Sequence, residues 1–198
     1  MTESMIFPMN NRPEPITNQC SMAGIKPAML ELPYPPIQVN CRNRSYADLL
    51  SVDYCGSVSE LSALTQYINN ESRLSMKFCR YARMLLEIAV AEMMHLQKLG
   101  ELIFLLGGDV DYAARYQNGK NCLWTPEYLT LPGHIDEMIQ VDIEGERAAI
   151  KQYRMHISRM DDEHVNAVLA RIIRDEEYHI LLLQSLLDEV QASTSSCD

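Results

Sequence analysis

The feature that most restricts the fold is an ionisable pair set in an apolar stripe. Glu92 and His95 lie three residues apart within Leu85–Leu106, LLEIAVAEMMHLQKLGELIFLL. Steps of three and four residues give Leu85, Ile88, Glu92, His95, Leu99, Leu102 and Leu106, one face of a helix. Burying the pair on that face is expensive unless something compensates it. The stripe Leu169, Ile172, Glu176, His179, Leu183, Leu186, Val190 repeats the pattern. Each Glu-x-x-His also follows a second motif at nearly the same interval. Glu60-x-x-Ala63-x-x-x-Tyr67 matches Glu146-x-x-Ala149-x-x-x-Tyr153 position for position. The chain reads as an internal repeat.

Each half reads as a helical hairpin. A first helical element is expected from Ser45 to about Asn70, beginning as a short helix and settling after Ser57 because Gly56 weakens its middle, with a turn signal at Asn69–Ser72. A second runs from about Ser75 to Leu106 and stops at Gly107-Gly108. A third covers about His134 to Met160. A break at Met160–Asp162 follows, where Asp161 or Asp162 caps a fourth helix running to about Val190. Residues equidistant from a hairpin turn sit at one height. The midpoint of Glu146 and the Glu176/His179 pair falls in that break, and the midpoint of the first half falls near residue 77. The connection 107–132 is long, with turn signals at Asn118-Gly119 and Thr125-Pro126. A crossover along a bundle accounts for its length. No strand pattern competes. The expected fold is all-α: a four-helix bundle over residues 45–191, built from two helical hairpins joined by a long crossover. Residues 192–198 are expected to be a flexible tail. Residues 1–44 hold seven of the nine prolines, including Leu32-Pro-Tyr-Pro-Pro36, and form a separate N-terminal arm.

This geometry brings Glu60, Glu92, His95, Glu146, Glu176 and His179 to one level inside the bundle. One Glu from each of two helices plus Glu-x-x-His from each of the other two is a dimetal ligand set. Four carboxylates balance two divalent cations and suit iron or manganese, whereas a lone zinc takes fewer oxygens. Asp175 is placed to orient His95, but its counterpart before Glu92 is Ala91, so His179 needs another partner. Tyr67 and Tyr153 read as core tyrosines that near a metal could hydrogen-bond a ligand. Asp142 and His156, near the inner stripe of the third helix, read as capping or rim residues, with ligands or proton relays as the alternative; Glu101 and Glu144 read as outward-facing, and the twelve methionines as core filler.

The 198 residues, 47% hydrophobic, are enough for one sizeable core. A net charge of -10 argues against nucleic acid and anionic membranes as partners. No signal peptide is visible and no uninterrupted apolar run spans a bilayer, so the expected location is cytoplasmic. The cysteines, Cys20, Cys41, Cys55, Cys79, Cys122 and Cys197, form no C-x-x-C pair and are expected to be reduced.

Glu60, Glu92-x-x-His95, Glu146 and Asp175-Glu176-x-x-His179 resemble the ferritin-like superfamily of dimetal four-helix bundles, over about residues 45–190. Rubrerythrin-like proteins, bacterioferritins and the manganese catalases related to spore-coat proteins are the similar groups. The Pro-Tyr-Pro-Pro arm followed by Tyr54-x-Gly56-x-x-x-Glu60 looks most like the last. The resemblance implies Glu60, Glu92, His95, Glu146, Glu176 and His179 as ligands of two iron or manganese ions, with Glu92 and Glu146 or Glu176 as bridges. No haem or rubredoxin centre is encoded.

The implied activity is a dimetal oxidoreductase acting on hydrogen peroxide or dioxygen, of catalase or peroxidase type, with Glu60, Glu92, Glu146 and Glu176 as the catalytic carboxylates. A peroxidase would need an external electron donor; a catalase would not. A homo-oligomer, a dimer or larger, is expected. The alternatives are a ferroxidase or iron-storage protein, which requires a hollow cage, and a spore-coat-like structural protein with a metal site.

Overall fold

In the computed structural model, which describes residues 17, 18 and 20–195, a four-helix bundle carries an additional helix at its N-terminal side. Helix α1 spans Arg44–Cys55 and α2 Glu60–Leu74. The first element is thus two helices, divided where the weakness at Gly56 puts the break. Gly56 divides them, because a Cβ there would lie 2.6 Å from the Val52 carbonyl oxygen. Ser59 then caps α2, its hydroxyl accepting from the Ser62 N–H, and leaves Glu60 in the first turn, where the helix dipole favours a carboxylate.

Helix α2 runs through the Asn69–Ser72 turn signal to Leu74, and α3 spans Cys79–Leu105. The turn therefore falls at 75–78, where the midpoint of the repeat puts it. Asn70 is buried inside the helix, its amide committed to Asp142, which explains an Asn in a helical interior. Helix α3 ends at Gly107, whose φ of +84° suits a residue without Cβ. Helix α4 spans Ile135–Ile157 and α5 Glu163–Ser195. The Asp162 carboxylate caps α5 by accepting from the N–H groups of His164 and Val165. Most of the stretch read as a frayed tail, 192–195, is the last turn of α5.

The crossover is not strandless as expected. Ala113–Arg115 (β1) and Asn121–Leu123 (β2) pair antiparallel around a turn containing Gly119 at φ +82°. Three residues per strand are too few to show alternation in sequence. Their role is local: Ala114 is fully buried against Val52 and Cys55 of α1.

Two apolar clusters sandwich the middle of the bundle. One joins Leu99, Leu102 and Ile103 of α3 to Ile150 and Tyr153 of α4 and to Val165, Leu169 and Ile172 of α5. The other joins Leu85 and Ile88 to Met138, Ile139 and Ile143 and to Leu183 and Leu186. The start of α3 thus meets the start of α4 and the end of α5. Helices α3 and α4 run parallel, as a crossover requires, and α5 runs against both. Among the methionines, Met138 and Met160 are buried, while Met76, Met93 and Met155 are exposed rather than core.

The expected reduced state fails at one pair. Cys20 and Cys79 form a disulfide, with Cα atoms 5.2 Å apart. The partners are 59 residues apart in sequence, so no spacing motif announces the bond. It fixes the N-terminal arm to the start of α3. From there residues 20–40 lie along the outer faces of α3 and α5. Cys197 is outside the described residues.

Candidate metal centre

All six ligand candidates converge between the two apolar clusters, and each is at most 3% exposed. They form two overlapping groups: Glu60, Glu92, His95 and Glu176, and Glu92, Glu146, Glu176 and His179. Within each group the potential ligand atoms lie within 4.8 Å of one another. Glu92 and Glu176 belong to both. His95 Nδ1 is 3.4 Å from Glu92 Oε2, 3.2 Å from Glu176 Oε1 and 3.4 Å from Glu60 Oε2. His179 Nδ1 is 3.0 Å from Glu92 Oε1, 2.8 Å from Glu176 Oε2 and 3.5 Å from Glu146 Oε1. Each central carboxylate therefore turns one oxygen to each histidine, while Glu60 and Glu146 serve one side each. Of the two bridge pairs open from sequence, the geometry favours Glu92 with Glu176.

The donor set fits two cations. Glu60 Oε2, Glu92 Oε1, both Glu176 oxygens and His179 Nδ1 are buried without a hydrogen-bond partner. They approach one another closely, yet point to common centres instead of pairing, an arrangement that is costly without a cation. Alone, the cluster holds protons. Burial, reinforced by Glu92 and Glu176, pushes Glu60 well above the carboxylate range and Glu146 up to about 8. Burial would raise Glu92 too, but the close approach of Glu60, His179 and His95 outweighs it and holds it low. Burial disfavours charged imidazoles, but the surrounding carboxylates win and raise both histidines. Metal binding would displace these protons.

With both Nδ1 atoms facing inward, the Nε2 atoms find partners outside. His179 Nε2 lies 2.8 Å from the Ala28 carbonyl oxygen. A carbonyl only accepts, so Nε2 carries the hydrogen, and in the neutral ring Nδ1 offers its lone pair to the cluster. His95 Nε2 lies 3.3 Å from Asp175 Oδ2, the partner expected from sequence. Asp175 is held in turn by the Leu30 N–H, the Tyr34 hydroxyl and Arg171. These contacts keep its carboxylate ionised despite burial. Arg171 also donates to the Leu30 and Leu32 carbonyls. Arg171 and Lys98 each lie 4.5 Å from the centroid of the Tyr34 ring. The arm thus walls the centre on the histidine side. The i, i+4 spacing of Arg171 and Asp175 was a legible signal for one of these partners. Nothing in the sequence marks the Ala28 carbonyl.

On the opposite side the repeated tyrosines cross the bundle. Tyr67 of α2 donates to Glu146 of α4, and Tyr153 of α4 donates to Glu60 of α2. Burial holds both phenols protonated, so each remains a donor. Asp142 and His156 are not rim or capping residues. Both are buried and lie outside the two groups: Asp142 accepts from Asn70, and His156 Nδ1 pairs with Asp53 at 2.7 Å. Glu101 and Glu144 face outward. A cavity of about 350 Å³ between α2 and α4 reaches Glu60, Glu92, Glu146 and Glu176 past Ala63 and Ala149.

Residues 59–193 match the ferritin-like domain family, more than half of the chain. The chain belongs to the ferritin-like family. Among curated proteins, this ferritin-like chain is 23% identical over 182 residues to a probable manganese catalase of Clostridium acetobutylicum, covering 82% of this chain and 79% of that one. Among solved structures it resembles the manganese catalase KatB from Anabaena, with a TM-score of 0.70 at 24% identity. That match covers 81% of this chain and 79% of KatB, and a second structure of the Anabaena enzyme matches equally. At this identity the likeness establishes the fold. No helix among the described residues is long and apolar enough to cross a membrane.

Proposed function

We propose that this ferritin-like protein is a dimetal oxidoreductase acting on hydrogen peroxide or dioxygen. The reading rests on one observation: Glu92 and Glu176 are shared between two ligand groups, each with its own histidine and terminal glutamate. Glu60 and His95 would complete one metal position, Glu146 and His179 the other. Manganese is the preferred metal, supported by the manganese catalases the chain resembles. Two such ions, when bound, supply the paired electrons that cleavage of an O–O bond consumes.

The residues of the chain perform the rest. Four carboxylates balance the charge of the pair. The Tyr67 and Tyr153 hydroxyls hold a hydrogen on Glu146 and Glu60, so the terminal carboxylates keep one orientation facing the cavity. The two apolar clusters exclude bulk water above and below. The cavity admits substrate from the α2–α4 side, opposite the histidines.

The test is metal analysis of protein from its native host, followed by oxygen evolution from peroxide. Two manganese ions per chain with oxygen release, and no added reductant, supports a catalase. Peroxide loss only with an added reductant supports a peroxidase. Neither activity with either metal loaded refutes the reading.

A further inference from the structure

We propose that the cavity between α2 and α4 binds a small organic amine, its ammonium group held against Asp142. The proposal goes beyond the reading above and rests on it only in counting the four metal-site glutamates as neutralised. The volume is the first argument. Hydrogen peroxide has two heavy atoms and needs little more room than a water molecule, about 30 Å³. The cavity holds about 350 Å³, within the usual range for organic ligands. Small residues create it. Gly145, Glu146 and Ala149 follow Asp142 on one face of α4 at intervals of three, four and seven. A Cβ added at Gly145 would meet nothing within 4 Å. Across from them α2 contributes Ala63.

Charge is the second argument. Every ionised side chain on the cavity wall is a carboxylate, and no Lys, Arg or His lines it. With the four central glutamates neutralised, Asp53, Asp142 and Glu144 remain. An anionic ligand would be repelled. Glu144 is exposed to solvent, and Asp53 already has the His156 ring at 2.7 Å and an amide donor in Gln152. Asp142 has neither solvent nor a cation. It is 3% exposed, and both its oxygens accept from the single amide nitrogen of Asn70 at 3.1 Å. Among the described residues no positive group pairs with it. A buried carboxylate with only a neutral donor is under-compensated, and burial pushes its pKa up to about 7. An ammonium group in the adjoining cavity supplies the missing charge. One helical turn separates Asp142 from Glu146, so the body of such a ligand lies beside the metal-facing carboxylates.

Three probes of one shape separate the terms: 2-phenylethylamine, 2-phenylethanol and phenylacetate. Their binding to the full-length, manganese-loaded protein is measured at pH 8 by calorimetry, with metal content determined on the same samples. The amine is expected to bind at least about tenfold more tightly than the alcohol, the difference one buried charge pair makes, and phenylacetate not at all. Asp142→Asn is expected to abolish the preference for the amine while the protein keeps both metals. Gly145→Leu, whose Cβ would meet nothing within 4 Å, is expected to narrow the cavity and weaken binding of amine and alcohol alike. Equal binding of amine and alcohol, an undiminished preference in Asp142→Asn, or no amine binding by metal-replete protein overturns the proposal. Protein that binds the amine but no metal overturns the oxidoreductase reading instead.

Discussion

Removing a shared glutamate and removing a terminal one should have different consequences. Glu176 turns one oxygen toward each histidine, whereas Glu146 belongs to the His179 side alone. At a separation of about 4 Å and an effective dielectric of about 20, one ion pair is worth about 4 kcal/mol, roughly a thousandfold in a binding constant. Glu146→Ala should therefore weaken one metal position by about that factor and leave the other nearly intact. Glu176→Ala should weaken both. The assay is a titration of metal-free protein with manganese(II), following free metal by electron paramagnetic resonance and bound metal after desalting. The wild type should retain about two ions, Glu146→Ala about one and Glu176→Ala none at micromolar metal. Circular dichroism confirms that each variant is folded. If Glu146→Ala loses both ions, or Glu176→Ala keeps one tightly, the assignment of the shared carboxylates is wrong.

Asp175→Asn should weaken the His95 position by about 10- to 100-fold and spare the His179 position, whose outer partner is a backbone carbonyl. Two-site fits to the same titration measure this, and equal losses at both sites would refute it. Asp142 should make stability fall with pH. Its folded pKa of about 7 lies above the ordinary 3.8, so the stability is fully present below 3.8 and is lost as pH rises through 7, about 4 kcal/mol in all. Of this, about 3 kcal/mol falls between pH 5 and pH 8, so urea unfolding should lose about that much more over this interval in the wild type than in Asp142→Asn, since every other group is common to both. Breaking the Cys20–Cys79 bond, which closes a separation of 59 residues, removes up to about 4 kcal/mol of loop-closure entropy. Cys79→Ser should lower the urea midpoint under non-reducing conditions, and an unchanged midpoint would refute a contribution from the bond.

The repeat made the bundle and the convergence of Glu60, Glu92, His95, Glu146, Glu176 and His179 readable in advance, because helical periodicity converts spacing directly into a shared face. Its symmetry located the α2–α3 turn better than the local Asn69–Ser72 signal, since Asn70 answers a distant aspartate instead of a turn. Asp142 and His156 were misplaced for a related reason. Polar residues near a stripe look like rim positions until their partners, Asn70 and Asp53, are brought in from other helices. The disulfide, the short hairpin and the Ala28 carbonyl depend on contacts between segments far apart in sequence, or on backbone atoms that every residue carries. Side-chain patterning does not encode those.

The arm has a consequence for what counts as a domain. The match to the ferritin-like domain family begins at residue 59, and a fragment cut there would carry all six ligand candidates. It would lack the Ala28 carbonyl that sets the His179 tautomer, and the Leu30 and Tyr34 groups that steady Asp175 behind His95. Both imidazoles would then be free to turn over or to take water as a partner. The stretch that the family model matches is therefore shorter than the smallest piece that is chemically complete. The candidate centre thus depends on a proline-rich segment outside the bundle that holds its ligands.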